Sequence, residues 1–175
     1  MYTQKDIESL FNELKNNSYS DLCLSSKIFF KDMKIIGISS PFSGNVYINL
    51  SLLNKQNWSR KAIIGILAHE ISHQVSYRKR SFLKKWSFLW NYYLSIKKRK
   101  EVEKEADMIA MRRGYGKEIF EERKLQEKYF LNNKEKLGLL NKFYLSSKEV
   151  KKLLYVFPNS KLTPALSEGT SSVVE

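Results

Sequence analysis

The chain has 175 residues, of which 42% are hydrophobic and 13% aromatic, enough to bury a core and inconsistent with a low-complexity polypeptide. Its 31 Lys and Arg against 18 Asp and Glu leave a formal charge of +13, which favours anionic partners and says nothing about fold. A single cysteine, Cys23, excludes an internal disulfide and a cysteine-based zinc ribbon, and is read as a small core residue in a reducing compartment.

Residues 4–16 place Ile7, Leu10, Phe11 and Leu14 on one helical face, predicting a first amphipathic helix. The texture then changes to short apolar runs at 22–24, 27–30 and 33–38, a turn at Ser39–Gly44, and a strand-like segment from Asn45 to Leu50, together read as a sheet of about three strands. Residues 58–75 predict a central buried helix, apolar on most sides and almost wholly so over 62–68, with Ser59 as its N-cap. A further helix runs from about Lys100 to Arg113 and stops at Gly114, and charged helical segments follow at 117–132 and 147–155. The segment 157–175 is polar and Ser-, Thr- and Pro-bearing; it reads as a loose tail, with latency by lying across the cleft as an alternative. The expected organisation is one α+β domain over 1–156: a small mixed sheet packed on two central helices, with extra helices towards the C-terminus. No secretory leader and no run of about 18–20 apolar residues is read, so the expected location is cytosolic, with peripheral membrane contact as an added option.

The two histidines of the chain, His69 and His73, stand four apart with Glu70 between them, the HExxH pattern. On a helix, positions i and i+4 project from one face, so both imidazoles can hold one metal ion with Glu70 beside it as general base. A catalytic zinc site takes a third protein ligand and keeps an open position, and no third histidine exists. A carboxylate must therefore complete the set. Glu103 and Asp107 share a helical face with the small residues Ala106 and Ala110, so Glu103 is the expected ligand and Asp107 the acceptor that orients a histidine, while Glu101 and Glu105 point elsewhere.

An HExxH helix followed some 30 residues later by a Glu-x-x-Ala-Asp helix resembles the gluzincin zinc peptidases, above all the minigluzincins and the catalytic domains of the CAAX prenyl endopeptidases and heat-shock membrane proteases. The resemblance covers roughly residues 45–116. It implies a zincin-like fold, one zinc ion on His69, His73 and Glu103, Glu70 as general base and Asp107 behind a ligand histidine. It further implies an edge strand before the HExxH helix, at Val46, Tyr47, Ile48 and Asn49, along which an extended protein or peptide substrate pairs. The chain lacks the spanning segments of the membrane members and is longer than the smallest soluble ones. An oxyanion donor is expected as well; histidine is used up, and Tyr115, Tyr144 and Tyr155 stay open. Antirepressor-cleaving regulatory metalloproteases also couple HExxH to a downstream glutamate helix, but they usually carry Asn where this chain has Asp107. A non-catalytic basic module with a vestigial metal site is the reading from another class.

Between the two motifs, residues 77–100 carry nine basic and seven aromatic residues and no acid. Phe82, Trp86, Trp90 and Tyr93 fall near one helical face. The leading expectation is a helix that roofs the catalytic one with that face; contact with anionic membrane is the next reading, and nucleic acid the weaker one.

Overall fold

A computed structural model of the chain describes residues 1–20, 26–78 and 80–157. Cys23 and the tail beyond Phe157 lie outside them. The N-terminal helix α1 (Gln4–Ser18) is started by a capping box between Thr3 and Asp6 and buries Ile7, Leu10, Phe11 and Leu14, the four residues its periodicity singles out. Each such side chain taken out of water contributes about 1.5–3 kcal/mol.

Three short strands follow: β1 (Ile28–Phe30), β2 (Gly37–Ser39) and β3 (Val46–Ile48). They form one mixed sheet in the order β1-β3-β2, with β1 parallel and β2 antiparallel to β3. The β2–β3 connection is the turn read from Ser39–Gly44: Ser40 N–H donates to the Asn45 carbonyl, and Gly44 takes the left-handed backbone (φ 70°) that closes it. Val46 and Ile48 face the core and are fully buried, so Tyr47 between them points to the opposite face.

This order corrects one expectation. The strand at 46–48 is central and paired on both sides, so it cannot be the edge for an extended substrate; the edge strand packed against the central helix is β2. The strand also ends two residues earlier than its composition suggests. Asn49 accepts a hydrogen bond from Leu52 N–H and caps a short helix, α2 (Leu50–Lys55), because its amide competes with the ladder for backbone partners.

Helix α3 (Arg60–Arg78) is the axis of the fold, contacted by α1, β2, α5 and α6. Ser59 caps it through Ala62 N–H at 3.2 Å, and it is buried on nearly all sides. The chain continues through α4 (Phe82–Leu94), α5 (Ile96–Ala110), a π-turn at Met111–Tyr115, α6 (Gly116–Tyr129), α7 (Lys134–Phe143) and α8 (Ser147–Val156). Helix α5 starts at Ile96 rather than near Lys100 because Ser95 caps it, accepting from Lys98 N–H. Gly114 takes φ 92° and ends that run, as its position predicts. Helix α7, capped by Asn133, lies wholly between the charged helical segments at 117–132 and 147–155, where the sequence predicts no element. The result is a mostly helical α+β protein with a small mixed sheet.

Helix α6 comes close to α3 at Gly65, where an added Cβ would sit 2.4 Å from the backbone carbonyl oxygen of Glu118. Backbone cannot move aside as a side chain can. Gly65→Ala is expected to lower unfolding stability by about 1–3 kcal/mol, the usual range for overpacking, in urea titration; an unchanged midpoint would contradict this packing.

Candidate metal centre

The site is built where α3 meets α5. Ala106 and Ala110 are buried between the helices and let them approach, which brings Glu103 and Asp107 against the histidine face of α3. His69, Glu70, His73, Glu103 and Asp107 are all buried. Glu101 pairs at the surface with Lys98, and Glu105 is exposed, so neither competes for the centre.

Three atoms form a triangle. His69 Nε2 lies 3.1 Å from His73 Nε2 and 3.2 Å from Glu103 Oε2, and His73 Nε2 lies 3.4 Å from the same oxygen. Tetrahedral ligands at about 2.0–2.1 Å from a small divalent cation stand about 3.3 Å from one another. The donor set therefore fits such an ion, and His69, His73 and Glu103 form a buried group that can hold a metal.

Surrounding partners fix His69 and Glu103. His69 Nδ1 is 2.8 Å from Asp107 Oδ1; a carboxylate only accepts, so Nδ1 carries a proton, and Nε2 is the nitrogen that would meet a cation in the triangle in place of its own proton. Burial alone would lower the pKa of His69, but hydrogen bonds to Asp107 and Glu103 and the nearby carboxylate charges outweigh it and hold it well above the ordinary imidazole value. Those acids call for positive charge at the centre, and a divalent cation supplies it to three atoms at once. Burial would likewise raise Glu103, yet the charge of His73 and hydrogen bonds from both histidines keep it well below the usual carboxylate range. His73 Nδ1 is buried with no partner among the described residues, and its ring stacks on Tyr77 at 5.7 Å between centroids.

Glu70 stands outside the triangle, in the same cleft. It abuts β2 so closely that a Cβ on Gly37 would fall 2.9 Å from Glu70 Oε1. The Ser39 hydroxyl donates to the Glu70 backbone carbonyl, tying β2 to this turn of α3. Burial pushes the Glu70 carboxyl up, partly offset by the two histidines. The cleft has a volume of about 840 Å³, and Gly37, Tyr47, Tyr92 and Tyr144 are among the residues that line it. Of the residues anticipated along the third strand, Tyr47 alone reaches the cleft; Val46 and Ile48 are core, and Asn49 is a helix cap.

Of the three tyrosines left open, Tyr144 lies in the cleft, its ring 5.6 Å from that of His69. Tyr115 stacks on Tyr19 and donates to Ser18, and Tyr155 is exposed on α8. Burial keeps Tyr144 protonated, well above the ordinary phenol value.

Two residues of the site escape sequence reasoning. Tyr92 of α4 donates to Glu103 Oε1. Arg123 of α6 is buried and donates to Asp107 Oδ1 at 2.7 Å, while Leu145 N–H reaches Oδ2 at 3.1 Å. Arg123 sits in a stretch as charged as any solvated helix, so no local signal marks it.

Arg123 also donates to Glu122 Oε1, which takes a second bond from Gln126; the other Glu122 oxygen is buried without a partner among the described residues. One guanidinium thus serves two buried acids. Asp107, with three donors, stays ionised, whereas burial pushes Glu122 up to about 7. Such a carboxyl holds its proton longer folded than unfolded, so stability falls as pH rises from its ordinary 4.5 towards 7, and the full loss stands above that. Glu122→Gln is expected to be near neutral at pH 5 and to stabilise by on the order of 2–3 kcal/mol at pH 8, read by urea unfolding at both values. Equal effects at the two pH values would contradict this assignment.

No protein-family model matches the chain, and comparison with curated proteins and with solved structures finds no significant similarity.

Proposed function

We propose that the chain is a zinc-dependent metalloendopeptidase of zincin-like architecture, close in its site to the gluzincins it resembles. The observation that carries this reading is the triangle of two Nε2 atoms and one carboxylate oxygen, with Glu70 beside it in an 840 Å³ cleft. Two imidazoles and one carboxylate with a side left open make up a common catalytic zinc set, and a borderline-soft ion suits mixed nitrogen and oxygen donors. His69, His73 and Glu103 would hold the ion. Its chemistry when bound is to acidify a water towards neutrality and to polarise a carbonyl.

The remaining work belongs to the chain. Glu70, its carboxyl raised by burial, takes the proton of the attacking water and passes it to the leaving amine as the peptide bond breaks. Asp107, itself held by Arg123 and Leu145 N–H, keeps His69 in the tautomer that presents Nε2. Tyr92 orients Glu103 through its second oxygen. Tyr144 is the donor proposed for the developing oxyanion, since it stays protonated and lines the cleft. Among the described residues β2 pairs only with β3, leaving its outer edge beside Glu70 open, so an extended peptide added as an outer strand is the substrate form that fits. The site of action proposed is the cytosol; among the described residues no helix is long and apolar enough to cross a membrane.

The test is hydrolysis of an unfolded protein by zinc-loaded wild type and Glu70→Gln. The variant is expected to keep its metal and lose about 10²–10⁴-fold in rate. Wild type that binds zinc yet cleaves nothing, or equal rates in the two proteins, would remove the peptidase reading.

A further inference from the structure

Helix α4 does not roof α3 with its aromatic stripe. It packs mainly on α5, and with the opposite side: Phe88 and Tyr92 turn inward against Tyr77 of α3 and Glu103 of α5. Phe82, Leu83, Trp86, Trp90, Tyr93 and Leu94 all face outward, with exposures from 50% at Trp86 to 78% at Leu83. At about 100° per residue these six and Leu89 fill a continuous arc of roughly 140°, flanked by the polar strip of Ser87 and Asn91. Phe42, from the β2–β3 turn, packs its ring on Phe82 and Trp86 at 5.6 and 5.0 Å and extends the patch beyond the helix. A contiguous apolar face of this kind on a soluble surface marks an interaction site.

The charges around it select the partner. No Asp or Glu occurs between Glu70 and Glu101, while basic residues gather at both ends of α4, with Lys84, Lys97 and Lys100 exposed. A second copy of the chain meeting the same face would set these cations against their counterparts. A nucleic acid would use the aromatics for stacking but leave Leu83, Leu89 and Leu94 without a role. An anionic lipid surface uses all three features: aromatic rings at the headgroup level, leucines in the acyl boundary, and lysine stems reaching phosphates. We propose that α4 is a peripheral docking helix that lays its Phe82–Leu94 arc into anionic membrane. Leu89 and Tyr93 belong both to the arc and to the cleft wall, so the mouth of the cleft runs along the docked face. Docking would then favour substrate segments presented at the bilayer surface. This last point alone rests on the peptidase reading; the docking does not.

The experiment is vesicle flotation with the full chain, comparing phosphatidylcholine vesicles with phosphatidylcholine containing phosphatidylglycerol. Wild type is expected to float with the anionic vesicles, to blue-shift its tryptophan emission, and to be released by salt. Trp86→Ser with Trp90→Ser is expected to lose at least tenfold in partitioning, and Lys84→Ala with Lys97→Ala roughly fivefold per charge. Both variants should stay folded by circular dichroism and keep the wild-type metal content, since the altered side chains lie outside the triangle and are exposed. Glu70→Gln is expected to float as wild type does, which separates docking from catalysis. Wild type that stays unbound with anionic vesicles, partitioning unchanged by loss of both tryptophans, self-association through that face, or binding to duplex DNA in place of vesicles would each overturn the proposal.

Discussion

Two imidazoles and a carboxylate held within 3.4 Å of one another in a buried contact are costly to assemble. Each buried charge must be matched or removed. The rest of the protein can be read as what makes that contact affordable in physical terms: Ala106 and Ala110 allow α5 to approach α3, and Gly65 allows α6 to approach from the other side. The burial also sharpens the electrostatics, because donors and acceptors fixed away from water act at far lower effective dielectric.

Behind the ligands stands a chain of supports from every part of the fold. Arg123 of α6 and the backbone before α8 hold Asp107, Asp107 holds His69, and Tyr92 of α4 holds Glu103. Tyr19, after α1, places its hydroxyl within hydrogen-bond distance of the Ala68 carbonyl and the Ser72 hydroxyl, anchoring the turn that carries the histidines. The sheet contributes through β2, whose Gly37 leaves room for Glu70. The triangle is thus tied to several elements of the fold.

The parts legible in sequence are those that depend on local periodicity or on fixed spacing. The face of α1 and the placing of His69 with His73 and of Glu103 with Asp107 on shared helical faces follow from 3.6-residue geometry, and the Ser59 cap and the Gly114 stop from residue type. Strand order does not. Three residues per strand carry no information about which is central, and the edge proves to be β2 rather than 46–48. Nor could composition tell which side of α4 meets the protein: Phe88 and Tyr92 pack inward while the larger stripe stays in solvent, since an amphipathic pattern shows that two faces differ and not what covers the apolar one. Arg123 was hidden for a further reason. Its meaning depends entirely on Asp107, sixteen residues away, and on burial that a charged helix does not advertise.

The most direct measurement of the central claim is metal stoichiometry, by elemental analysis after equilibrium dialysis, of wild type beside Glu103→Ala. One zinc per chain in wild type and loss of it in the variant, with both proteins folded by circular dichroism, is the predicted result. Retention of a full equivalent by the variant would show that the carboxylate of α5 is not a ligand, and wild type that takes up no zinc would show that the triangle is not a metal site.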